Sequence, residues 1–200
     1  MGRLIGLLYF PLYVKKKSGP RQRILEQALV SMFQEGVHNI TVNRVIEESG
    51  AYKKSFYRYF NGIEDLQEAY LETQRSIFLG FLERLCEKHT GFSEFWRAWT
   101  GLLLKQASRN KYPGCQFARF AAQTEKTGKN SATMNDFISR WITILSDFMR
   151  KTNPALARQE ADERALRLMY LFEGAVNVYS MTGDLSHLKK LAEMGVSADA

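Results

Sequence analysis

Apolar residues recur along this chain with a helical period. Ile24, Leu25, Ala28, Leu29, Met32 and Phe33 fall on one stripe of a 3.6-residue repeat. Pro20, behind Ser18-Gly19, suits a first helical position, and Gly36 suits a left-handed stop. Thr41 is placed to cap a short segment, Val42 to Glu48, with Val45 and Ile46 turned inward. Ser49-Gly50-Ala51 breaks that segment, and a second one runs from Tyr52 to Phe60 before the Asn61-Gly62 turn. Leu66, Ala69, Tyr70, Ile77, Phe81 and Leu85 then predict one long amphipathic helix from Glu64 to about His89. Further helical patterns cover about 92–110, 114–127, 133–152, 155–182 and 185–194. The breaks between them are Thr90-Gly91, Tyr112-Pro113-Gly114, Gly128-Lys129-Asn130, Asn153-Pro154 and Gly183-Asp184. No segment sustains period-two alternation and no internal repeat is evident. The expected fold is all-α, with about nine helices.

Two short helices joined by a glycine turn and preceded by a packing helix make the pattern of a helix-turn-helix. Gly50 supplies the tolerance of positive φ that such a turn needs. The second helix of this motif enters the major groove, where base edges carry a distinguishable donor and acceptor code. Tyr52 to Phe60 is equipped for that role. Lys53, Lys54 and Arg58 can pair with phosphates or guanine edges, and Ser55 and Tyr57 can hydrogen-bond. Phe56 and Phe60, four apart, share one face and would hold the helix to its bundle.

Charge sharpens this reading. The net charge is +7, and residues 1–61 hold ten Lys/Arg against four acids, whereas 62–200 hold eighteen against seventeen. A basic front on a nearly neutral body points to a polyanion contact at one end. The 45% apolar and 12% aromatic content can fill a core and excludes wholesale disorder. Cys86 and Cys115 cannot make a disulfide framework, which fits a reducing compartment.

The front of the chain resembles the TetR family of bacterial transcription regulators. The resemblance rests on Ile24-Leu25, Ala28, Phe33, Gly36, Thr41-Val42, Gly50, Tyr57-Arg58-Tyr59-Phe60 and Glu64-Asp65-Leu66. It continues over the remainder as the number, order and length of the helices. It implies a three-helix DNA-binding domain over 21–63 behind a tail over 1–20. A larger helical ligand-binding and dimerisation domain would follow over 64–200. It further implies operator contacts from Thr41, Arg44, Lys53, Lys54, Ser55, Tyr57, Arg58 and Tyr59. The implied partners are a pseudo-palindromic double-stranded operator, a second copy of the chain and a small-molecule inducer. Four positions depart from the family pattern. Ile63 stands where a phosphate-contacting Lys is usual, Tyr52 where a Ser or Thr cap is usual, Lys54 where Gly is common, and Ile46 where Ala is usual. Ile63 and Ile46 keep a second reading open, a helical ligand-binding or interaction protein that has lost DNA binding.

In the family, the C-terminal helices enclose the ligand, and the last two long ones pair the subunits. Glu173-Gly174-Ala175 places small residues mid-helix, where a neighbouring helix can approach closely. Polar or aromatic groups interrupting apolar faces are the ligand candidates: Trp96, Trp99, Cys115, Arg119, Trp141, Tyr170, Glu173 and Asn177. Ordinary core packing is the alternative for each. Cys115 follows Gly114 at a helix start, where the helix dipole lowers a thiol pKa, and Lys111 and Arg119 are near in sequence. That Gly-Cys pair is similar to a subset of TetR regulators, some of which sense electrophiles; a buried inert cysteine is the other reading.

Enzyme chemistry finds no support. The sequence has no HExxH, GxSxG, GxGxxG or Walker loop, and His38, His89 and His187 sit singly in different segments. No metal or cofactor is expected. Met1 to Tyr13 is strongly apolar and precedes Lys15-Lys16-Lys17, but it is too short to span a bilayer and contains Pro11. An interfacial anchor, a hydrophobic arm docking on the body, and a mis-assigned start with Val14 as initiator all remain open. No stable membrane association is expected, and the cytoplasm is the expected location.

Overall fold

Pro20 begins the first helix because its fixed φ and missing N–H cost nothing at that position. A computed structural model describes residues 19–125 and 128–197, and all of their regular structure is helical. The apolar-then-basic tail over 1–20 lies, up to residue 18, outside the described residues. The helices are α1 (Pro20–Glu35), α2 (Val42–Ser49), α3 (Lys53–Tyr59), α4 (Ile63–Lys88), α5 (Phe92–Ala107), α6 (Gln116–Gln123), α7 (Gly128–Thr152), α8 (Arg158–Thr182) and α9 (Ser186–Ser197). The all-α order expected from the periodicity is therefore present among the described residues.

Local differences have local causes. Gly36 ends α1 at φ 88 and ψ 160, with its N–H bonded to the Met32 carbonyl at 2.9 Å. This is not the left-handed stop the sequence predicts but a more extended conformation that is likewise reserved for glycine. α5 stops at Ala107, and Ser108 to Asn110 close as turns with Asn110 at φ 53. α7 starts at Gly128, where the sequence reads a break, and Gly128 takes φ 59 there. α8 waits until Arg158, because the Asn153 side chain accepts the Ala155 N–H and turns the chain first.

The chain forms two compact units, one holding residues up to Ile77 with Gln116–Met134, the other Phe78–Cys115 with residues from Asn135 on. The division falls inside α4 and α7. In the first unit α1 buries Ile24, Leu25, Ala28, Leu29, Met32 and Phe33, the stripe read from the sequence. Val45 from α2 and Phe56 from α3 are fully buried in the same bundle.

The core of the second unit is aromatic. Phe78, Phe95, Trp96, Trp99, Phe137, Trp141, Phe148 and Phe172 are each at most 3% exposed. Trp99 stacks on Phe172 with ring centroids 4.7 Å apart, Phe78 meets Trp141 edge-on at 4.8 Å, and Phe95 meets Phe148 at 4.9 Å. Such pairs add about 0.5–1.5 kcal/mol each beyond area burial. Trp96 fastens α9 to α5, its indole N–H directed at the Leu191 and Ala192 carbonyls at 3.3 and 3.2 Å. Between α7 and α8, Arg158 bridges Asp147 and Asp162, and Ser146 donates to Asp162. Among the described residues no helix is long and apolar enough to cross a membrane.

Candidate nucleic-acid interface

The turn between α2 and α3 is built by short-range chemistry. The Thr41 hydroxyl accepts the Arg44 N–H at 3.4 Å and caps α2. Gly50 ends α2 in the left-handed conformation, φ 62 and ψ 24, and the Gly50 and Ala51 N–H groups return to Glu47 and Ile46. A β-carbon is penalised at that φ, so glycine is the residue the turn requires. α3 then starts at Lys53 with no side-chain cap. Tyr52 is its N-cap residue, 83% exposed, and offers only its backbone carbonyl to Ser55 and Phe56.

α3 is sharply two-faced. Phe56 is fully buried, Phe60 follows at 3% exposure, and the two rings lie 5.6 Å apart. Arg21 of α1 covers Phe60 with its guanidinium 5.6 Å from the ring centre. On the other face Lys53, Lys54, Tyr57, Arg58 and Tyr59 are exposed and Ser55 is half-buried. Tyr57 is 50% exposed although its ring rests edge-on against Phe56 at 5.3 Å. The result is a cationic, aromatic, hydrogen-bonding surface on a helix whose apolar side fixes it to the bundle.

Thr41 is exposed and Arg44 half-buried. Arg44 is held in a network: its guanidinium donates to Glu35 with two nitrogens and its Nε donates to Glu48 at 2.6 Å. Glu48 also accepts from Gln27 and Ser31 at 2.9 Å each. The Arg44 hydrogen bonds hold the Glu35 and Glu48 carboxyls below the ordinary carboxylate range and raise the guanidinium's own pKa. Glu35 and Glu48 lie outside the residues that the sequence pattern singles out. Their signal was weak, since only Glu48 sits four residues from Arg44 on one helix. Ile46 and Ile63 are half-buried, and Ile63 is the first residue of α4.

Residues 24–70 match the family model of bacterial regulatory proteins, tetR family. Residues 24–70 therefore carry a TetR-family N-terminal domain. No curated protein matches it in sequence. Solved structures match over nearly the full length. The reduced form of NemR from E. coli has a TM-score of 0.77 at 18% identity, covering 91% of this chain and 98% of that one. A TetR regulatory protein from Rhodobacter sphaeroides has 0.76 at 16% identity, covering 90% and 99%. FadR from Bacillus subtilis, in complex with stearoyl-CoA, has 0.68 at 12% identity, covering 88% and 96%.

The ligand candidates divide by place. In the first unit Arg119 reaches from α6 to the carbonyl end of α1, donating to Phe33 at 2.7 Å and to Gln34 at 3.4 Å. Beside it, Gln123 accepts the His38 N–H and lies over Gly36, where a β-carbon would come within 2.5 Å of its side-chain oxygen. In the second unit Trp96, Trp99 and Trp141 belong to the aromatic core. Cys115, Glu173 and Asn177 form one cluster: the buried Cys115 thiol and the Asn177 amide both donate to the Glu173 carboxylate. Burial pushes the Glu173 carboxyl above its ordinary value, and those two hydrogen bonds partly offset it. The Cys115 thiol thus has a carboxylate acceptor in Glu173. Burial pushes the other thiol, Cys86, up to about 12. Tyr170 is 63% exposed on α8, in an open groove of about 320 Å³ shared with α9 and lined by Gly174, Val178, His187 and Met194.

Two residues outside the sequence candidates stand out. Gln74 and Gln116 are 0% and 3% exposed, and neither amide has a hydrogen-bond partner. The signal was present, because Gln74 interrupts the stripe Leu66, Tyr70, Phe78, Leu82 at the position an apolar residue would fill.

Proposed function

We propose that this protein is a homodimeric, cytoplasmic transcriptional repressor that binds a pseudo-palindromic operator through α3 and is released by a small-molecule inducer. The observation that carries the reading is the face of α3, where Lys53, Lys54, Tyr57 and Arg58 stand exposed above a buried Phe56. In this reading Lys53, Lys54 and Arg58 supply phosphate and base contacts. Tyr57, Tyr59 and Ser55 add hydrogen bonds, and Thr41 and Arg44 position the motif. Two copies pair through α8 and α9 over the groove beside Gly174, setting two α3 helices about 34–36 Å apart for successive major grooves. The helical body receives the inducer, as FadR, a protein of the same fold, is seen with stearoyl-CoA. Cys115 is proposed as a residue of that body whose proton sits toward Glu173.

A gel shift on the gene's own promoter region tests this. Affinity is expected to fall steeply between low and high salt, because counterion release drives the contact. Lys53→Ala and Tyr57→Ala are expected to abolish the shift while leaving the dimer and its thermal unfolding intact. Parental binding by either variant would overturn the assignment of α3. Absence of binding by the parent protein would favour a helical ligand-binding protein instead.

A further inference from the structure

Buried amides without partners are rare, because each forfeits hydrogen bonds that water would have made. Gln74 and Gln116 expose such groups within one unit, two donors and two acceptors in all. Their helices bring them together. Tyr70 of α4 stacks on Phe120 of α6 with centroids 6.3 Å apart. Gln74 lies one turn after Tyr70, and Gln116 one turn before Phe120, each on the face that carries the stacked ring. Near the start of α4, Gln67 donates to the Val37 carbonyl at 3.4 Å, and Gln123 at the end of α6 accepts the adjacent His38 N–H at 3.4 Å. The two helices thus run in opposing senses at the stack, and both amides fall on the side of it away from Gln67.

The charges nearby are already committed. Arg119 is bonded to the α1 carbonyls, Glu68 to Lys129, and Glu72 to Arg75. What the site leaves for a ligand is neutral amide edges beside aromatic faces. Gln116 also lines a crevice with Met32, Val37, Tyr70 and Phe120 that is too tight to admit water. A ligand between the amides must displace α6, and α6 carries the Arg119 and Gln123 contacts to the end of α1.

We propose that Gln74 and Gln116 form the recognition edge of the inducer site, and that the inducer is an uncharged planar molecule presenting a donor beside an acceptor, as a lactam or imide does. This rests on the repressor reading and names its ligand class. One carboxamide pairs with such an edge through two hydrogen bonds, the other donates to the remaining lone pair of the ligand's carbonyl, and Tyr70 and Phe120 take the ring. Entry shifts α6, so Arg119 draws away from the end of the helix that packs on α2 and α3.

The probe is 2-quinolone, with N-methyl-2-quinolone as the control lacking the donor and quinoline-2-carboxylate as the anionic control. Isothermal titration and thermal shift are measured on the full chain, on Gln74→Met and on Gln116→Met. We expect 2-quinolone to bind the parent and stabilise it, with both controls at least about tenfold weaker. Each Met variant is expected to melt about 2–4 °C higher without ligand, because an unpaired buried amide is gone, and to lose the response to 2-quinolone. Lower melting of both variants would overturn the proposal by making the amides structural. Equal binding of the N-methyl compound, or no binding of 2-quinolone at millimolar concentration, would overturn it as well. A parent that shifts promoter DNA yet ignores 2-quinolone refutes the ligand class alone. A parent that binds 2-quinolone but no DNA refutes the repressor reading instead.

Discussion

Arg44 shows how one side chain is claimed by two roles. The family resemblance implies an operator contact for it, and the structure ties it to Glu35 and Glu48, so it pins α2 to α1. The carboxylates that hold it have depressed pKa values. Their stabilising contribution is present above the ordinary value of 4.5 and is lost as pH falls through the lower folded values. Melting temperature measured from pH 6 to pH 3 is therefore expected to drop on the acid side, and Arg44→Ala should flatten that drop. Glu173 has the opposite sign. Its folded pKa is raised, so its cost is absent below 4.5 and grows as pH rises through the folded value. Glu173→Gln keeps an acceptor for Cys115 and Asn177, and should raise the melting temperature at pH 7 while changing little at pH 4. Equal shifts at both pH values would show that the carboxyl is not strained by burial.

At the scale of elements, what the sequence made legible is what neighbours in the chain decide. The Thr41 cap, the left-handed Gly50 and the Phe56–Phe60 face each depend on residues within a few positions. The conformation of Gly36 was not legible, because it is fixed by α6 laid across it with Gln123 in contact. The same holds for Arg119, whose place near Cys115 in sequence said nothing of its bonds to α1. Gly195 belongs to this class too. A β-carbon there would overlap the Trp96 indole, and Trp96 is fully buried, so it has no room to yield. Alanine gains roughly 1 kcal/mol of helix propensity over glycine. Overpacking a rigid core costs about 1–3 kcal/mol and occasionally more. The clash wins: Gly195→Ala is expected to destabilise the protein, read as a lower urea midpoint with α9 losing hydrogen-exchange protection first. An unchanged midpoint would mean that α9 does not seat on α5 as described.

For the whole molecule, the proposed pairing face of α8 and α9 separates a subunit's own stability from its assembly. Gly174 is exposed in the middle of α8, and a β-carbon there meets nothing within 4 Å of its own chain. Tyr170 and Met194 flank it, 63% and 46% exposed, along the open groove. Within one subunit, Gly174→Ala is therefore favourable by roughly 1 kcal/mol, from helix propensity alone. Any loss it causes must come from a second copy packed against α8, where an added methyl holds the backbones apart. Sedimentation equilibrium is expected to show a dimer dissociation constant raised about tenfold, equivalent to roughly 1.4 kcal/mol. Melting at dilution into the monomer range should move upward instead. Operator affinity would fall in step with dimerisation, because two half-sites are engaged only by a pair. If Gly174→Ala tightened the dimer, or left it unchanged while the monomer gained stability, the α8 face would not be the subunit contact.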